Sequence, residues 1–164
     1  MHHFALWLAQ TRVSVAIGTA PWVVPTVQSI HIAAIGVVLA SVFMMDLRIF
    51  GWAGDDQTLL QVTQRFAPWL WGALSVLLTT GILMIIGEPV RELMSLAFWL
   101  KMSMLAIGIA STVVFQITLS RNPLARPTKT FAILTLLIWF SIVVLGRLIA
   151  YDQIWGSWSL MPVT

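Results

Sequence analysis

The chain has 164 residues, of which 59% are hydrophobic and 9% charged, and a net charge of +3. A water-soluble domain carries about 25% charged residues, so composition excludes that class and leaves an integral membrane protein. The basic surplus fits loops facing lipid headgroups and not a nucleic-acid surface; the absence of cysteine excludes disulfides, thiolate metal sites and redox thiols.

The first stretch, MHHFALWLAQTRVSVAIGTA, has no Lys or Arg ahead of its apolar part, and Gln10 and Arg12 interrupt it, unlike a signal peptide. Phe4, Leu8 and Val15 can share one helical face with Trp7 beside them. The pattern predicts an amphipathic helix lying in the interface over about residues 4–17, retained in the mature chain. His2 and His3 lack a third ligand and read as solvated.

The first span is expected over about residues 25–45, long enough at about 1.5 Å per residue to cross roughly 30 Å of hydrocarbon. Asp46, Arg48, Gly51 and Gly54 to Asp56 mark a polar connection. A second span follows over about 66–86, with Pro68 in its first turn, and Gly87, Glu88 and Pro89 end it. The loop holding Arg91 and Glu92 leads to a third span, about 94–119. The connection SRNPLARPTK precedes a fourth, about 130–150, and a Trp-rich tail over 151–164 is expected at the interface. The architecture predicted is an all-α membrane four-helix bundle in a single domain.

Cations orient it. Arg48, Arg65, Arg121, Arg126 and Lys129 fall on one side, against Arg12, Arg91 and Arg147 on the other. The positive-inside rule puts the first group in the cytoplasm and both termini outside, in a bacterial inner membrane. Trp22, Trp52, Trp69, Trp71, Trp99, Trp155 and Trp158 near the span ends read as an aromatic belt. Small-residue stripes are expected at helix contacts: Ala33, Gly36 and Ala40; Gly72, Ser75 and Thr79; Gly108, Ser111 and Thr112.

The ionisable groups inside the spans carry the functional argument. His31, Lys101 and Arg147 come from three spans yet fall at one depth, in the outer half, with Glu88 and Arg91 above them. Charges in hydrocarbon gather where they pair or bind something, so one polar site is predicted there. Gln28, three residues before His31, could orient the imidazole. Lys101, Met104, Gly108 and Thr112 share a face, and Met84, Met102 and Met104 are candidate sulfur contacts. The competing readings are a His31 that hydrogen-bonds a neighbouring helix, and a Lys101 and Arg147 that snorkel to headgroups.

QSIHIAAIGVV, RFAPWLWG and FWLKM together resemble a small uncharacterised bacterial family of four-helix membrane proteins, over most of the chain. More distantly the pattern resembles HemJ-type protoporphyrinogen oxidases and the CopD-type membrane domain. The HemJ-type resemblance implies that His31 matches a haem b ligand and Lys101 a later-span lysine. The leading expectation is therefore a haem b protein, with His31 on the metal and Lys101, Arg147 and Arg91 toward the propionates. Two alternatives stand beside it: a non-catalytic subunit or oligomeric scaffold, built as a homo-oligomer through the small-residue stripes, and a quinone or small-amphiphile binder. The expected surroundings are the lipid bilayer, no nucleic acid and no identified soluble partner. The sequence leaves open whether the protein is an enzyme; phosphate-loop, nucleophile-elbow and metalloprotease motifs are absent.

Overall fold

The computed structural model describes residues 2–54, 56–122 and 129–149. It is all-α, with seven helices among the described residues. They are α1 (His2–Ala9), α2 (Arg12–Thr19), α3 (Val23–Phe50), α4 (Leu59–Gly87), α5 (Pro89–Leu93), α6 (Leu96–Arg121) and α7 (Lys129–Ile149). Four of them, α3, α4, α6 and α7, are long and apolar enough to cross a membrane. Ile32, Leu78, Val114 and Phe140 are all more than 60% exposed. Outward side chains of that kind belong in lipid. The chain is a membrane protein.

The predicted interfacial helix is two helices. Thr11 breaks it: its hydroxyl donates to the Leu8 carbonyl and accepts from the Ser14 amide, closing α1 and capping α2 in one residue. α1 lies on α5, and α2 lies along the end of α4. Gly87 permits that approach, because a Cβ there would meet Ile17 Cγ2 at 2.9 Å. Ala5 of α1 is buried with Leu93, Ala97, Phe98 and Ile149, so this segment covers one end of the long helices. Phe4, Trp7 and Val15 remain exposed.

α3 and α4 run past the expected span bounds, while α6 and α7 keep to theirs within two residues. α4 begins at Leu59, ahead of the span expected from about residue 66, because Thr58 and Gln61 form a reciprocal capping box. Pro68 is therefore interior to α4 and not in its first turn. α3 continues to Phe50 and closes on Gly51, whose φ of 75° is the left-handed conformation that glycine adopts without cost. Asp46 is thereby inside a helix and 3% exposed, not in a polar loop. The Trp-rich tail over 151–164, with Trp155 and Trp158, lies outside the described residues, as does Arg126.

α3 is the hub. It packs along α4 on one side and α7 on the other, and α7 packs along α6, while α4 and α6 barely touch. The main core lies between α3, α4 and α7, around Val38, Val42, Leu70, Ala73 and Trp139. Of the three small-residue stripes only the last is a contact: Gly108 and Thr112 are buried, and Gly108 faces Ile138 and Trp139. Gly36 and Gly72 face open space, and Ala33, Ala40 and Thr79 are exposed. Small residues need a partner backbone to matter, and α3 meets α4 and α7 through Val38, Val42 and Met45 instead.

Candidate functional site

Because α4 and α6 stand apart, a cavity of about 360 Å³ opens between them, backed by α3 and α7. Small-molecule pockets are commonly about 300–1,000 Å³. Its walls are apolar: Leu74, Leu77, Leu105, Ile109 and Ile142 contribute much of them. Leu78 and Ile82 line it while exposed to the outside of the protein, so the mouth opens sideways between helices. Its titratable groups sit toward the α5 end, where His31, Lys101 and Glu92 all line it.

His31 is held from α4. Its Nδ1 lies 2.7 Å from Thr80 Oγ1, and that hydroxyl donates to the Val76 carbonyl, also at 2.7 Å. A threonine hydroxyl has one proton. With that proton on Val76, Thr80 Oγ1 accepts from His31, and the tautomer this arrangement selects carries its hydrogen on Nδ1. The neutral ring then bears its lone pair on Nε2, on the edge away from Thr80, and Nε2 has no hydrogen-bond partner among the described residues. Gly81 lies beside the ring: a Cβ there would make ordinary contact with His31 Cε1 at 3.8 Å. The orienting partner is thus Thr80. Gln28, on the same helix, neither lines the cavity nor reaches the ring.

Lys101 reaches across from α6 to α7. Its Nζ lies 3.6 Å from where a Cβ on Gly146 would be, so the bare glycine is the surface its side chain rests on. Glu92, 5% exposed, is brought in by α5, a single turn begun by Pro89. Arg91 binds Glu88 at 2.6 Å and reaches Glu92 at 3.6 Å. Burial pushes the Glu92 carboxyl above its ordinary value, against the pull of Arg91 and Lys101.

Two of the three groups expected to converge, His31 and Lys101, share one cavity. Arg147 is exposed and lines none of it, because α7 turns that residue outward one position after Gly146. Arg91 does not line the cavity and is engaged with two carboxylates, Glu88 and the cavity-lining Glu92. Met104 packs into the core, whereas Met84 and Met102 line the cavity. Glu92 was legible only as a residue of the loop before the third span; the Pro-initiated turn that carries it inward is a weak sequence signal. Two belt candidates are tied down by hydrogen bonds, and of these Trp71 points inward while Trp99 stays exposed. Trp71 lines the cavity and donates to Gln116 Oε1 at 3.1 Å; Trp99 donates to the Leu93 carbonyl. Trp22, Trp52 and Trp69 are exposed.

The class is a membrane protein with four candidate membrane-spanning helices and a side-opening apolar cavity, polar at one end. The chain belongs to the family of unknown function DUF6644, which it matches over residues 8–152. No curated protein and no solved structure matches it. Among the described residues no group of three or more His, Cys, Asp or Glu side chains could hold a metal ion.

Proposed function

We propose that the protein is a four-helix membrane bundle that binds haem b in the cavity between α4 and α6, with His31 Nε2 as the iron ligand. One observation carries the reading: His31 Nδ1 lies 2.7 Å from Thr80 Oγ1, a hydroxyl also 2.7 Å from the Val76 carbonyl, which leaves Nε2 as the ring nitrogen without a partner among the described residues on a residue lining an apolar cavity. Metal-binding histidines are held in this way, with the second ring nitrogen donating to an orienting partner. A macrocycle brings its own four nitrogens, so a single protein histidine suffices where a bare ion would need several. Lys101 is the cation that lines the cavity and would meet a propionate; Arg91 and Arg147 would not. Met84 and Met102 are the thioethers within the lining. Haem, when bound, supplies a redox-active iron. The chain's part is to hold it, fix the tautomer of its ligand and exclude water.

The test is the visible spectrum of protein purified with haem supplied. A Soret band is expected, and it is lost in His31→Ala while helicity is kept. Absence of the band in the parent protein overturns the reading.

The sideways mouth between α4 and α6 favours a second reading, a lipid-soluble amphiphile such as a quinone, its polar end at Lys101 and Glu92. A colourless protein that yields one equivalent of such a molecule on solvent extraction selects it. A colourless protein with no extractable ligand leaves the scaffold reading, with Gly36 and Gly72 open to a second copy.

A further inference from the structure

The α5 end of the cavity holds charges that are not all paired. Lys101 lines it, and among the described residues its Nζ makes no hydrogen bond and no ion pair. That nitrogen keeps surface open to an occupant, unlike the sealed Nε of Arg91. An ammonium group without a partner, among Leu, Ile and Val side chains, calls for an anion. Among the described residues Glu92 is the one carboxyl in the lining, and it is turned to Arg91. Arg91 Nη2 lies 3.6 Å from Glu92 Oε1, but 2.6 Å from Glu88 Oε2.

The charges around Glu92 can be counted element by element. α5 packs against α1, α4 and α6. α1 brings His2 and His3, both exposed. α4 has one titratable residue, Arg65, near its opposite end, and α6 brings Lys101, with Arg121 at its far end. Across the cavity His31 of α3 has its Nδ1 on Thr80, and Arg147 of α7 is exposed. Arg91 and Glu88 offset each other. What remains is Lys101 and Glu92, which balance only while Glu92 is ionised. Burial favours the neutral form of that carboxyl, against Arg91 and Lys101. An anion arriving beside Lys101 upsets the balance by one charge, and a net charge in a low-dielectric cavity is costly. Glu92 removes it by taking one proton from water; an O–H bond forms and no other bond changes.

We propose that the cavity binds an apolar molecule through an anionic head such as a carboxylate, held by Lys101, and that each anion enters with one proton, carried by Glu92. The inference rests on the reading of this cavity as the ligand site and names the chemistry of the ligand, which a haem propionate and a free fatty acid share.

The experiment is calorimetric titration of the detergent-solubilised protein with haem, dodecyl sulfonate or dodecanol, each against protein-free micelles. The sulfonate stays ionised, so any proton counted with it is the protein's. Titrations in two buffers of unequal ionisation heat give the number of protons taken up. About one per bound anion is expected, and none with dodecanol. The sulfonate dissociation constant rises about tenfold per pH unit above the raised Glu92 value. Glu92→Gln abolishes the proton uptake and flattens that rise, and Lys101→Met removes sulfonate binding. Sulfonate bound with its proton while haem does not bind overturns the haem reading and upholds this one; haem bound without a proton does the reverse. No anion bound, sulfonate bound without a proton, or uptake that persists in Glu92→Gln also overturns the proposal. If Glu92→Gln does not fold, infrared difference spectra of the parent protein decide. A protonated-carboxyl band that grows as the sulfonate binds is expected, and its absence overturns the proposal.

Discussion

Replacing Thr80 by valine keeps the shape of the side chain and deletes only its hydroxyl. The α-helix of which Thr80 is part retains its own backbone hydrogen bonds, so the loss falls on His31. Its Nδ1–H, now 2.7 Å from the place a methyl group occupies, has no acceptor. An unsatisfied buried donor costs about 1–3 kcal/mol; the imidazole is only half-buried, which puts the cost near 1 kcal/mol. The ring escapes by moving its proton to Nε2 or by rotating, and either change removes the lone pair from its fixed place. For a metal-bound histidine, loss of the orienting partner lowers affinity about 10–100-fold. Haem titration followed at the Soret band, with Thr80→Val beside Thr80→Ser, measures this directly. Thr80→Ser should bind like the parent, because its hydroxyl can make both hydrogen bonds. Nitrogen-15 NMR of the parent histidine should report the hydrogen on Nδ1. A hydrogen on Nε2, or unchanged haem affinity in Thr80→Val, refutes the argument from the hydroxyl's single proton.

Glu92 sets a pH dependence. Its folded pKa is raised by burial, so it favours the folded state while protonated, and that contribution is lost as pH climbs from the ordinary carboxylate value through the raised one. Tm measured against pH should fall over that interval, and Glu92→Gln should flatten the fall; a slope that survives the substitution rules Glu92 out as its source. Gly87→Ala drives a Cβ to 2.9 Å from Ile17 Cγ2, so α2 must lift from α4, at about 1–3 kcal/mol. Limited proteolysis should then cut within residues 10–20 faster than in the parent. Gly36→Ala meets nothing within 4 Å and replaces a poor helix former, worth about 0.5–1 kcal/mol. A monomer should be unharmed, and a fall in Tm together with loss of an oligomeric species in native mass spectrometry would show that another copy covers this face.

The amino-acid sequence alone determined that the chain enters a membrane, how many helices are long enough to cross it, and which ionisable residues lie inside them. Those follow from counting: hydropathy over about twenty residues and the energetic cost of a charge in hydrocarbon are properties of the chain taken one segment at a time. The breaks were legible as well, in Thr11 and in the Thr58–Gln61 box, to a closer reading of the caps.

What only the tertiary structure decided is rotation, the direction each helix turns its residues. α3 and α6 are apolar nearly all the way round, so periodicity, which separates faces in water, has little to separate in lipid. For that reason the sequence could place His31, Lys101 and Arg147 at one depth but not tell that Arg147 looks outward. Nor could it tell that Met102 and not Met104 lines the cavity, that Gly36 touches nothing, or that Trp71 points in. The Thr80 contact and the enclosure of Asp46 join residues far apart in the chain, and helix–helix packing alone puts them together.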